Sequence, residues 1–282
     1  MRHLKLTIAY DGKNYVGWQV QKNGISVQQE LEKGWCEVTG ETLRITSSGR
    51  TDSGVHARGQ VCSLATDSVI PNAKLLRALN AKTPEDISVL RVESAVEGFN
   101  AIGDCVQKTY CYQIQSGRIL DPLHLDHWWF VPHHLDIAGM RQAAGYLTGK
   151  LDFASFQAAG GRVRKTTVRN VSELRIEVNE REPFTDLRIY VTADGFLYNM
   201  VRNIVGTLVH VGRRSESPEW AKWVLEQKKR SDAGQTAPAH GLFLEQVYYR
   251  DGVLLSETSE NKDASVSETP RSGSNNLPTR LE

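Results

Sequence analysis

The chain has 282 residues, 40% hydrophobic and 24% charged, with a formal net charge of +1. This is the composition of a soluble globular protein, with apolar residues enough for one large core or two moderate ones. No apolar run approaches the roughly 18 residues of a membrane-spanning helix, and Met1-Arg2-His3-Leu4-Lys5 carries no signal-peptide pattern.

Leu4, Leu6, Ile8 and Tyr10 alternate along one face and predict an opening strand. Ser26, with Gln29 three residues later, has the form of a capping box. Val27, Leu31, Trp35 and Val38 recur behind it at near-helical spacing. A short strand is expected at 43–46, a second at 60–66, a helix from Pro71 through Leu75, Leu76 and Leu79, and a closing strand at 87–92. The second half repeats the order. A strand at 108–115 precedes a helix from Asp136 to Leu147 that ends at Gly149. Strands at 171–178 and 187–193 lead to a turn at Asp194-Gly195 and a long helix through Leu197, Val201, Ile204, Leu208 and Val211 to Gly212. An extra helix near 218–229 precedes the last strand, 242–249.

Two β-α-β-β-α-β units in succession predict an α+β protein of two tandem ferredoxin-like domains, residues 1–107 and 108–250. The same unit underlies the RNA-recognition fold, whose open sheet face binds RNA. Residues 251–282 hold six acidic and three basic residues among Ser, Thr and Asn, and read as a disordered tail. Subtracting that −3 from the total of +1 leaves +4 for residues 1–250. No acidic residue falls between Phe153 and Ser172, where Arg162, Arg164, Lys165 and Arg169 crowd together as an RNA contact or a solvated loop. The four cysteines form no Cys-x-x-Cys pair and read as idle thiols of a cytoplasmic protein. His124, His127, His133 and His134 lack ligand spacing and read as surface or loop histidines.

The densest signal is Ser48-Gly49-Arg50-Thr51-Asp52-Ser53-Gly54-Val55-His56-Ala57. Two glycines relax the backbone around one carboxylate that follows an arginine by two residues. Such a loop is either an ordinary Asx turn or a reactive acid beside a cation. Its partners are expected from the second half, across a cleft.

This stretch resembles the catalytic loop of the tRNA pseudouridine synthase A family. Tyr10-Asp11-Gly12-x-x-Tyr15-x-Gly17-Trp18-Gln19, Lys108-Thr109-Tyr110-Cys111-Tyr112 and Asp152-Phe153-x-Ser155-Phe156 match further family motifs, as do the run from Phe196 to Gly206 and Gly241-Leu242-Phe243-Leu244. The six stand in family order from residue 10 to 244. The resemblance implies two ferredoxin-like domains around a basic cleft, a cytoplasmic homodimer, and no metal or organic cofactor. It also implies conversion of uridine to pseudouridine at positions 38, 39 and 40 of the tRNA anticodon stem-loop. Asp52 matches the carboxylate that acts at C1′, as nucleophile or as base. Arg202 matches the arginine that pairs with it, and Arg50 the one that fills the space of the flipped uridine. Tyr110 matches the tyrosine that packs on the target uracil, while Tyr112 reads as a core aromatic. His56 either contacts RNA or shapes the loop. After Phe99-Asn100-Ala101, Ile102-Gly103 replaces the usual arginine and aromatic, and Ser53 replaces an alanine. Two other readings stay open, an RNA-binding module without catalysis and a synthase acting on another RNA.

Overall fold

The computed structural model describes residues 1–160 and 166–255. Arg162, Arg164, Lys165 and the tail beyond residue 255 lie outside the described residues. The first half runs β1 (Arg2–Tyr10), α1 (Val27–Thr39), β2 (Thr46–Ser47), β3 (His56–Thr66), α2 (Asn72–Asn80) and β4 (Ile87–Ala95). The second runs β5 (Cys105–Ser116), β6 (Trp129–Val131), α3 (Ile137–Gly145), β7 (Gly149–Asp152), β8 (Val168–Arg181), β9 (Phe184–Ala193), α4 (Met200–Gly212), α5 (Trp220–Gln227) and β10 (Leu242–Tyr249).

The period-2 pattern of β1 holds, with Leu4, Leu6 and Ile8 fully buried. Each such side chain contributes about 1.5–3 kcal/mol relative to exposure. Ser26 caps α1 by accepting from the Gln29 N–H, and Gly40 ends the helix in the left-handed region at φ 76. Several elements start elsewhere than the pattern predicts. β2 covers only Thr46–Ser47, the next strand begins at His56, and α4 begins at Met200. Asn199 sits at φ 58, so no helix can run through it from Gly195. The short strands β6 and β7 had no signal of their own. Each is fixed by its neighbour, β6 by β5 and β7 by β8.

Among the described residues, ten strands join one mixed sheet. Within it, β4-β1-β3-β2 and β10-β5-β9-β8 each form an antiparallel run. The runs meet where β10 pairs in parallel with the start of β3, Phe243 opposite His56 and Leu244 opposite Ala57. That junction directly follows the Asp52 loop, so the loop sits at the seam of the two halves.

Candidate active site

The Asp52 loop is held from beneath by the segment Tyr10–Trp18. Tyr10 Oη and Thr51 Oγ1 share a buried hydrogen bond of 2.8 Å. The Trp18 N–H donates to the Thr51 carbonyl at 3.0 Å, and Ser53 Oγ donates to the Tyr15 carbonyl at 3.1 Å. Two glycines permit this approach. A Cβ on Gly12 would lie 2.1 Å from the Val55 carbonyl oxygen, and one on Gly17 would lie 2.6 Å from that of Thr51. Gly17 also has φ +105, which side chains rarely adopt. At the loop's other end, Gln60 of β3 accepts from Ser48 Oγ at 2.7 Å and donates to the Gly49 carbonyl at 2.8 Å.

Asp52 is half-buried. Burial pushes its carboxyl above the ordinary range, and the Arg202 charge opposes that rise. Arg202 stands on α4, in the other half. Its Nε donates to the Ala237 carbonyl at 2.7 Å and its Nη1 to Asn199 Oδ1 at 3.0 Å. The left-handed Asn199 that delays the helix therefore anchors its arginine. Tyr110 on β5 is buried, edge-on to Phe196 at 4.9 Å between ring centres. Burial raises its phenol, and the nearby Tyr10 and Asp52 raise it further, so Tyr110 stays protonated. Arg50 is exposed at the start of the loop. Asp52, Arg202 and Tyr110 thus come from a loop, a helix and a strand that only the folded chain brings together.

His56 is placed differently. It is 1% exposed, and both ring nitrogens are engaged within the protein. The Gly12 N–H donates to Nδ1 at 3.0 Å, which leaves the proton on Nε2 to donate to the His240 carbonyl at 3.0 Å. Burial lowers the pKa of the ring, consistent with this neutral tautomer. The ring stacks on Phe243 at 4.7 Å and tilts against His127 at 4.8 Å. His127 Nε2 donates to Asp11 Oδ2 at 2.9 Å, while Asp11 Oδ1 lies 2.9 Å from His56 Nδ1. His56 thereby braces the loop and presents no free edge to a ligand.

Asp11, His56 and His127 bring three potential metal-ligating atoms within 4.8 Å of one another. The lone pair of His56 Nδ1 already takes the Gly12 N–H, and His127 already donates to Asp11. The donor set therefore closes on itself as a clasp between the halves. Lys13 and Asp126 add a second tie of 2.8 Å, exposed and of small energetic weight. Sequence spacing gave no hint of His127 or His240 in this clasp, because 116 residues separate His127 from Asp11 and 184 separate His240 from His56.

A model of the tRNA pseudouridine synthase family matches residues 6–98 and 143–250. A protein of Clostridium perfringens named tRNA pseudouridine synthase A 2 is 45% identical over 249 residues, covering 88% of this chain and all of its own. Proteins of Clostridium acetobutylicum and Pelobacter propionicus named tRNA pseudouridine synthase A are 42% and 44% identical over the same lengths. Among solved structures, an H/ACA ribonucleoprotein bound to a substrate RNA matches at 12% identity and a TM-score of 0.32, covering 73% of this chain and 43% of its own. That likeness is too low to bear on the fold.

Proposed function

The chain belongs to the tRNA pseudouridine synthase A family, whose members isomerise uridine in tRNA, and we propose that it acts at uridines 38, 39 and 40 of the anticodon stem-loop with Asp52 as the reacting carboxylate. The observation that carries this reading is the placement of the half-buried Asp52 in the loop at the seam of the two halves, near Arg202 of α4 and the buried Tyr110 of β5. A carboxylate must be ionised to attack C1′ or to take a proton from the sugar, and a neighbouring guanidinium supports ionisation in a water-poor site.

The reaction balances without a co-substrate. The C1′–N1 bond breaks, the uracil turns over, C5 joins C1′, C5 loses its proton and N1 gains one. No redox partner or energy source is required. Turning a uridine out of its stack costs a few kcal/mol. Arg50, exposed beside the loop, is suited to fill the vacated space, since a guanidinium both stacks and binds phosphate. Tyr110 packs against the target uracil. The two antiparallel runs, β4-β1-β3-β2 and β10-β5-β9-β8, support two ferredoxin-like domains, 1–107 and 108–250; a cytoplasmic homodimer is the further part of the proposal.

The test is site-resolved pseudouridine mapping on unmodified tRNA transcripts with purified protein and no added cofactor. Signal at 38 to 40 that is absent with Asp52→Asn is expected. Signal only at other uridines would overturn the positional assignment, and turnover retained by Asp52→Asn would overturn the role of the carboxylate.

A further inference from the structure

Four consecutive residues, Ala237–His240, touch both sides of the site. The Ala237 carbonyl accepts from Arg202 Nε at 2.7 Å, and the Ala237 N–H donates to the Arg202 carbonyl at 3.2 Å. The Pro238 carbonyl accepts the Tyr112 hydroxyl at 2.7 Å. Ala239 Cβ lies 3.4 Å from the position of a Cβ on Gly54, within the Asp52 loop. The His240 carbonyl accepts from His56, and His240 Nε2 donates to the Trp128 carbonyl at 3.1 Å. This strap holds the arginine at one end and the catalytic loop at the other.

Tyr112 is fully buried on β5. Its ring is clamped by Gly241, where a Cβ would stand 2.7 Å from ring carbon Cζ. The hydroxyl is therefore aimed at a single acceptor in mid-strap. We propose that Tyr112 is a positioning residue, whose bond to the Pro238 carbonyl holds the Ala237–His240 strap and, through it, the Arg202 guanidinium in its place relative to Asp52. The inference rests on reading Asp52 as the reacting carboxylate. Small displacements of such a pair are costly, since about 1 Å of misplacement can cost on the order of 100-fold in rate.

Titratable and charged groups around the pair include Tyr110 and Tyr112 of β5, Tyr10 of β1, His240 of the strap with Asp126 and His127 near it, Arg50 of the same loop and Lys108, which abuts the loop at Gly49. The tyrosines are raised, each first by burial, and stay protonated while Asp52 titrates, and burial lowers His240. A weakened strap is then read at the Asp52 signal itself.

The experiment is a carbon-13 NMR titration of the full chain labelled at aspartate Cγ, with the Asp52 signal assigned by Asp52→Asn. Tyr112→Phe removes only the hydroxyl. His240→Ala cuts the Trp128 anchor independently and decides the matter if the first variant fails to fold. Tyr249→Phe, which removes an equivalent 2.7 Å bond to the Ala101 carbonyl, is the control. The Asp52 midpoint is expected to rise by about 0.5–1 pH unit in the first two and to stay in the third. The acid limb of the single-turnover rate should move with it, at unchanged tRNA affinity. An unmoved midpoint in the strap variants, or an equal shift in Tyr249→Phe, overturns the inference. A wild type that titrates as described yet makes no pseudouridine counts against the proposed function alone.

Discussion

Gly12 and Val55 approach so closely that a methyl group on Gly12 would lie 2.1 Å from the Val55 carbonyl oxygen. The contact belongs to backbone on both sides, so neither can yield by turning a side chain. It joins the segment after β1 to the loop that carries Asp52. Gly12→Ala is expected to cost about 1–3 kcal/mol of stability through overpacking. The same variant should lose kcat on tRNA while retaining affinity, as measured by single-turnover kinetics beside filter binding. Wild-type kcat would show that the loop tolerates displacement.

Asp52→Asn separates chemistry from stability. Burial raises the Asp52 carboxyl, so the folded chain keeps that proton to higher pH than the unfolded chain. Ionisation therefore costs stability as pH rises through the folded value, and the cost vanishes below the unfolded value near 3.9. At neutral pH the variant should melt higher, by roughly 2–4 °C if about 1 kcal/mol is recovered. Turnover should be absent and tRNA binding retained. A lower melting temperature at pH 7 would contradict the electrostatic account.

Removing Arg202 acts in the opposite sense on the same carboxylate. The guanidinium opposes the burial-driven rise, so Arg202→Gln should move the acid limb of the rate profile up by about 1–3 pH units. At pH 7 the rate should fall roughly 100- to 1000-fold. An unshifted acid limb would assign Arg202 to substrate binding instead.

His56 distinguishes a brace from an RNA contact. His56→Phe leaves the Gly12 N–H and the His240 carbonyl without their partner, at about 1–3 kcal/mol each where water does not replace it. The melting temperature should fall, while the slope of tRNA affinity against salt stays that of the wild type. A slope reduced by about 1 would reveal a lost phosphate contact.

The order of the longer secondary-structure elements was legible from residue order. Period-2 and period-3.6 patterns report which face each segment buries, and they marked β1 and α1 correctly because those elements bury one continuous face. The start of β3 was not legible. Residues His56–Gly59 show no apolar alternation, because they serve the seam with β10. Arg58 pairs with Glu245 at 2.8 Å, and a Cβ on Gly59 would lie 2.6 Å from the Glu245 carbonyl oxygen. Asn199 hid the start of α4 for a similar reason, since its left-handed backbone is spent on holding Arg202.

Residue order by itself determined the chemistry on offer here: a carboxylate in a glycine-bounded loop, an arginine on a late helix and a tyrosine on a middle strand. Only the tertiary structure decided who holds whom. The Asp11–His56–His127 clasp and the Ala237–His240 strap join residues more than a hundred positions apart, which meet because β3 and β10 pair at the seam. Side-chain periodicity records burial against a local neighbour, and carries no record of which distant backbone carbonyl a buried hydroxyl or imidazole will find.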